Sequence, residues 1–186
     1  WLVDRFSGKM VYFWSEIAFG VASLLAGLSG NVEMLIALRI VQGFAAGMIM
    51  PVMFTLLVDL FGGDKMGRVM SIIGVPMTLG PMAGSIIGGL IVQLISWRWI
   101  FFINVPIVLI SALMLYKKVP AIAPKNPSAN FDGFGVGLLV ALSVTFVYGT
   151  VQASMKGSYN NNLTVGFGAL TIVILIGYVL YAWRYP

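Results

Sequence analysis

The chain of 186 residues contains no cysteine and no histidine. Without cysteine there is no disulfide framework and no thiolate metal site, and without histidine the commonest general base and zinc ligand is missing. No metal site is expected. Charge is scarce as well: Asp, Glu, Lys and Arg make up 9% of the residues, against about 25% in a soluble globular domain. Six acids and eleven bases cannot cover a water-solvated surface, so the solvent is expected to be largely lipid. Enzyme signatures are also lacking. Gly8 and Lys9 have neither the earlier glycine nor the following Ser/Thr of a phosphate loop, and no G-x-S-x-G or H-E-x-x-H occurs. Neither an enzymatic activity nor a cofactor is expected.

Apolar residues are what the chain has, at 60%. A helix that crosses the hydrocarbon needs about 20 of them in succession. Six such runs occur, at 11–30, 34–58, 69–95, 99–116, 134–153 and 163–183. They are too long for strands, which reach about 10 residues, so the expected fold is an all-α membrane protein with six transmembrane helices. The connections are short except 117–133, where Pro120, Pro124 and Pro127 preclude a helix and predict an extended connector in water. The chain opens at Trp1 with no Met, and is expected to be a piece of a longer protein.

The net charge of +5 invites a nucleic-acid partner, yet the eleven cations form no basic stripe, and none is expected. Eight of them, Arg5, Lys9, Lys65, Arg68, Lys117, Lys118, Lys125 and Arg184, fall in connections on one side of the six runs. Arg98 and Lys156 fall on the other, and Arg39 lies inside a run. Cytoplasmic loops carry the excess of Lys and Arg, so both ends of the piece are expected in the cytoplasm and the chain in the cell membrane.

Two charges lie within the apolar runs. Arg39 is five residues into the second, about 8 Å deep at 1.5 Å per residue, where a guanidinium demands a partner or water. Gln42 and Gly43 follow at i+3 and i+4, placing a polar partner and a gap on the same face. Glu16 enters from the opposite end of the first run, and the two charges differ by about 13 Å across a 30 Å core, so each is expected to have its own partner. For Glu16 two readings stand: a protonatable, cavity-facing carboxylate, or one that is neutral or paired locally. In the third run, Pro76 and Pro81 each remove a backbone hydrogen bond, and Gly80, Gly84 and Gly88 stack into a groove suited to a neighbouring helix. Gly43 with Gly47, and Gly133 with Gly137, repeat the spacing.

Four segments in order resemble the major facilitator superfamily, and within it the fourteen-span drug:proton antiporters. The opening WLVDRFSGK is similar to the family's second loop, G-x-x-x-D-R-x-G-R-R; Asp4, Arg5 and Lys9 match, while Ser7 stands where Gly is usual and Gly8 where Arg is usual. LIALRIVQGFAAG, 35–47, resembles the fourth-span motif R-x-x-Q-G. Gly80, Pro81 and Gly84 resemble the fifth-span antiporter motif, with Ser85 in place of a second Gly. WRWIFFINVP, 97–106, resembles the family's W-R-W-I-F-x-x-N-x-P turn through Trp97, Arg98, Trp99, Asn104 and Pro106. Asp132 and Gly135 fit the start of an additional central span pair.

The resemblance implies an incomplete major facilitator bundle holding family spans three to eight. Residues 1–116 would belong to the N-terminal half-bundle, 117–133 to a cytoplasmic connector and 134–186 to the central pair. It further implies a proton-coupled exporter of drugs or other amphipathic small molecules, driven by the proton gradient. The partners are then substrate, protons, the bilayer and the missing spans. Arg39 and Gln42 would serve proton coupling. Asp4, Arg5, Lys9 and Asp59 would form a cytoplasmic latch, Gly80, Pro81 and Gly84 a seal against proton leak, and 97–106 the outer turn. Other readings stay open: an exporter of one metabolite, peptide or lipid-like compound, an importer, or a non-transporting receptor or scaffold of the same fold.

Overall fold

Lipid offers backbone N–H and C=O groups no partner, so long apolar runs must satisfy them internally as helices. The computed structural model describes residues 1–120, 122–124, 126–128, 130–157 and 161–184. Lys125, counted among the loop cations, lies outside the described residues, as do 158–160 and 185–186 of the segment assigned to the central pair. Among the described residues there are eight α-helices, one 3-10 turn at Gly63–Lys65 and no strand. The helices are α1 (Leu2–Phe6), α2 (Gly8–Gly27), α3 (Val32–Phe61), α4 (Met66–Leu94), α5 (Trp99–Phe102), α6 (Asn104–Lys118), α7 (Gly133–Lys156) and α8 (Asn162–Arg184). Six helical stretches, with α5 and α6 counted together as Trp99–Lys118, are long and apolar enough to cross a membrane.

Local chemistry sets the limits of these helices, and it moves several ends from the hydropathy estimate. Asn31 starts α3, its side-chain oxygen accepting from the Met34 N–H at 2.8 Å. At the other end, Gly62 at φ 72° stops the helix after Phe61. The opening segment, expected as a loop, instead forms the short helix α1, and α2 follows directly at Gly8. The junction is Ser7, at φ 88° and ψ 130°, a backbone conformation that suits glycine. This is the position where the family pattern carries Gly. Gly8 lies close to α3: a Cβ there would stand 2.9 Å from Leu56 Cδ2, so a larger residue would have to displace that side chain.

The chain divides into two units, Trp1–Ala129 and Asn130–Pro186. In the first, α2 is the shared neighbour of α1, α3, α5 and α6. Val11, Val52 and Leu56 form a buried cluster on which Leu2, Val3, Tyr12 and Ile122 pack. The connector is therefore not simply extended in water: Ile122 rests on this cluster, and the Asn126 N–H donates to the Asp4 carbonyl at 2.9 Å. An apolar side chain and unpaired backbone groups both gain by folding back.

Within this chain, close packing occurs at other small residues than the spaced glycines. A Cβ on Gly80, Gly84 or Gly88 would meet nothing within 4 Å, nor would one on Gly43, Gly47 or Gly137. No residue of α4 is buried. Close approach occurs instead on α2, where a Cβ on Gly20 would lie 2.8 Å from Val108 Cγ1 of α6, and at Gly27 beneath Phe102 of α5.

In the second unit α7 packs on α8. Gly149 lets Phe167 approach, a Cβ there lying 3.2 Å from that of Phe167, and the Tyr148 and Phe167 rings meet at 4.7 Å with their planes tilted by 60°. Thr171 donates to Thr145 at 3.1 Å between the two helices. Asp132 caps α7, accepting from the Gly135 N–H and from the Tyr181 hydroxyl, each at 2.8 Å. Those two donors hold its carboxyl below the usual carboxylate range, with the backbone N–H of Gly135 the larger cause.

Candidate functional site

Because α3 begins at Val32, Arg39 lies seven residues in, about 10 Å at 1.5 Å per residue. Its Nη1 donates to Gln42 Oε1 at 2.9 Å, the i+3 contact that the spacing allows. Arg39 is exposed in this chain, whereas Gln42 is only 3% exposed. The amide nitrogen of Gln42 donates to the hydroxyl of Ser23 on α2, which is fully buried. The same hydroxyl oxygen accepts from Asn104 Nδ2 of α6 at 3.4 Å, a nitrogen also 3.3 Å from the Ile100 carbonyl. The Arg39 guanidinium lies 5.6 Å from the centroid of the Phe101 ring, within cation–π range. Two segments far apart in sequence, 35–47 and 97–106, thus meet on one face of α2.

A guanidinium carries five N–H donors, no acceptor and a charge that it does not lose. Gln42 takes one donor through a neutral oxygen, so the positive charge stays uncompensated by that bond. Such a group attracts a carboxylate and holds it ionised.

Glu16 and Arg39 have separate partners. Glu16 is 6% exposed, and its Oε1 accepts from the Ser111 hydroxyl of α6 at 2.6 Å. Its Oε2 is buried with no hydrogen-bond partner among the described residues. Tyr12 stands one turn earlier on the same face of α2. A groove of about 550 Å³ opens between α2, α3 and α6, walled by Tyr12, Met53, Leu56, Ser111, Met114 and Lys118 among others. Glu16 is not part of that wall; Tyr12 and Ser111 are.

Asp4, Arg5, Lys9 and Asp59, the residues expected to form a latch, lie near the α1–α2 junction and the end of α3. Lys9 Nζ donates to the Tyr116 carbonyl at 3.1 Å and to the Val119 carbonyl, so it caps the C-terminus of α6, where a cation also meets the negative end of the helix dipole. Arg5 lies over the rings of Trp1 and Phe6, 5.4 and 5.7 Å from their centroids. The backbone of Asp4 holds Asn126, as above, and Asp59 stands two residues before the end of α3.

In the segment 97–106, Arg98 Nη2 donates to the Ser29 carbonyl at 3.1 Å, and its guanidinium lies 4.6 Å from the centroid of Trp97. Trp99 meets Phe102 edge-on at 5.8 Å. Pro106 sits in the first turn of α6, where a missing N–H costs least. Gly80, Pro81 and Gly84 lie together on α4, with Ser85 donating back to the Pro81 carbonyl at 2.9 Å.

Sequence reasoning missed Ser23, Ser111 and Phe101. A signal for Ser23 was present: Gly20, Ser23 and Gly27 recur at i, i+3 and i+7, one small-residue face with a single hydroxyl. Nothing comparable marked Ser111.

Comparison with known proteins places these features in context. The pattern of the Major Facilitator Superfamily matches residues 1–183. A Mycobacterium tuberculosis protein named multidrug resistance protein B homolog is 36% identical over 183 residues, 98% of this chain and 34% of its own length. An uncharacterized MFS-type transporter from the same organism is 37% identical over 151 residues, 81% of this chain and 26% of its own. A putative multidrug resistance protein, MdtD, from Escherichia coli is 30% identical over 183 residues, 98% of this chain and 38% of its own. The chain therefore spans about a third of the length of these relatives.

Proposed function

The chain belongs to the major facilitator superfamily, and from that membership we propose that it forms spans three to eight of a proton-coupled transporter exporting drugs or other amphipathic small molecules across the cell membrane. The observation that carries this reading is the Arg39–Gln42 pair inside a spanning helix. The names of the relatives, two of which refer to multidrug resistance, support the substrate class.

Arg39 couples by charge alone. A membrane carboxylate from a span outside this chain loses its proton when brought near the guanidinium and regains one when moved away. Alternating access performs that movement, exchanging protons for substrate between two half-bundles, and the proton gradient supplies the energy. The loop cations hold both ends of the piece in the cytoplasm, and Asp4, Arg5, Lys9 and Asp59 latch that side. The groove of Gly80, Pro81 and Gly84 on α4 offers its face to a helix outside this chain.

The test expresses the intact gene in a cell lacking its own efflux pumps, loads it with ethidium and other amphipathic compounds, and then collapses the pH gradient. Export should stop with the gradient, and Arg39→Ala should abolish it while the protein still inserts. Gradient-independent export, or unchanged export by Arg39→Ala, overturns the coupling.

A further inference from the structure

We propose that Ser23 is a positioning residue of the coupling site, its buried hydroxyl orienting the Gln42 amide so that the amide oxygen faces Arg39. The inference rests on the coupling role proposed above for Arg39. A carboxamide is nearly symmetric in shape but not in chemistry: the nitrogen only donates and the oxygen only accepts. Arg39 has donors only, so it requires the oxygen. The other end of the amide must then find an acceptor at a place that is 3% exposed, and Ser23 Oγ supplies it. Remove the hydroxyl and the amide N–H is buried without a partner, which favours rotation of the side chain away from Arg39.

Ser23 also connects this amide to a second one. Asn104 Nδ2 approaches the same oxygen from the start of α6, so the hydroxyl receives one amide from α3 and one from the outer turn. The register is held by the close approach of Gly20 to Val108 of α6 and of Gly27 to Phe102 of α5 on either side. A displacement of the outer turn along α2 is thereby felt at Gln42 and, through it, at Arg39. The charged groups around the cluster are few. Glu33 lies six residues before Arg39 on α3, Arg98 is bound to the Ser29 carbonyl, and Glu16 is two turns away on α2 and tied to Ser111.

The experiment uses the full-length transporter in proteoliposomes, with ethidium as the transported probe and an imposed pH gradient. Ser23→Ala should lower gradient-driven transport about tenfold, the order of one lost buried hydrogen bond at a coupled site, and displace its pH midpoint. Gln42→Ala should do the same, and the double variant should be no worse than either single one, because both act through one contact. Ser23→Thr, which keeps the hydroxyl, should restore most of the rate. Wild-type transport by Ser23→Ala overturns the inference. So do losses that multiply to about a hundredfold in the double variant, or an unmoved pH midpoint, since these are what a purely packing role gives. Arg39→Ala, run beside them, separates the two readings. If it transports normally, the coupling role fails; if it is inactive while Ser23→Ala is normal, only the role of Ser23 fails. A wild type that does not move ethidium down the imposed gradient overturns both.

Discussion

Gly27 of α2 lies so close beneath Phe102 of α5 that a Cβ on the glycine would stand 2.8 Å from Cδ1 and Cζ of the ring. The contact seats α5 on α2, two residues before Asn104, whose amide reaches Ser23. Gly27→Ala should therefore destabilise the purified protein by about 1–3 kcal/mol, the usual cost of overpacking, seen as a lower thermal midpoint. Gly84→Ala supplies the contrast, because a Cβ there meets nothing within 4 Å of this chain. It should leave the packing of residues 1–129 unchanged. Equal thermal midpoints for Gly27→Ala and wild type would show that Phe102 swings aside without cost.

Ser7 offers a stabilising substitution. It is the one described non-glycine residue at positive φ, 88°, and such a conformation costs a side-chain-bearing residue about 1–3 kcal/mol. Ser7→Gly should raise stability by about 1 kcal/mol, near the lower end of that range because glycine also gains freedom in the unfolded chain. The measurement is the shift in thermal midpoint. A neutral or negative shift would mean that the turn carries no strain.

Asp132 predicts a pH dependence in the second unit. Its folded carboxyl is held below the unfolded value of about 3.9 by the Gly135 N–H and the Tyr181 hydroxyl. A depressed value means that the stabilisation is complete above the unfolded value and disappears as pH falls through the folded one. Helicity of the α7–α8 pair should therefore fall on acidification below about pH 4 in the wild type. Asp132→Ala should start lower at neutral pH and show a flatter acid limb, followed by circular dichroism. Parallel acid limbs in the two proteins would remove Asp132 as the cause.

The six spans are legible because lipid leaves a long apolar run one solution, and composition alone announces the lipid. Their ends are less so. Caps such as Asn31 and Gly62 are single residues whose effect is local geometry, which an apolar average does not register. The fourth run is split at Ile103 by a feature invisible in an apolar average.

The site is half legible. Arg39 and Gln42 stand out because a charge and an amide are rare in an apolar helix, and their i, i+3 spacing fixes a shared face. Ser23 does not stand out, because serine is common in spans and its two amide partners lie 19 and 81 residues away. The glycine stripe of α4 finds no facing helix within this chain. Small residues permit close approach, but only a facing helix makes it happen, and in this chain α2 has that helix where α4 does not.

Primary structure thus settles the solvent, the number of spans and the identity of intramembrane charges such as Arg39, since each depends on residue type and spacing along one helix. Packing settles what that charge is attached to. The chain from Arg39 through Gln42 to Ser23 and Asn104 exists because α2 presents small residues to α3, α5 and α6, and an unpaired buried polar group costs more than the order needed to pair it.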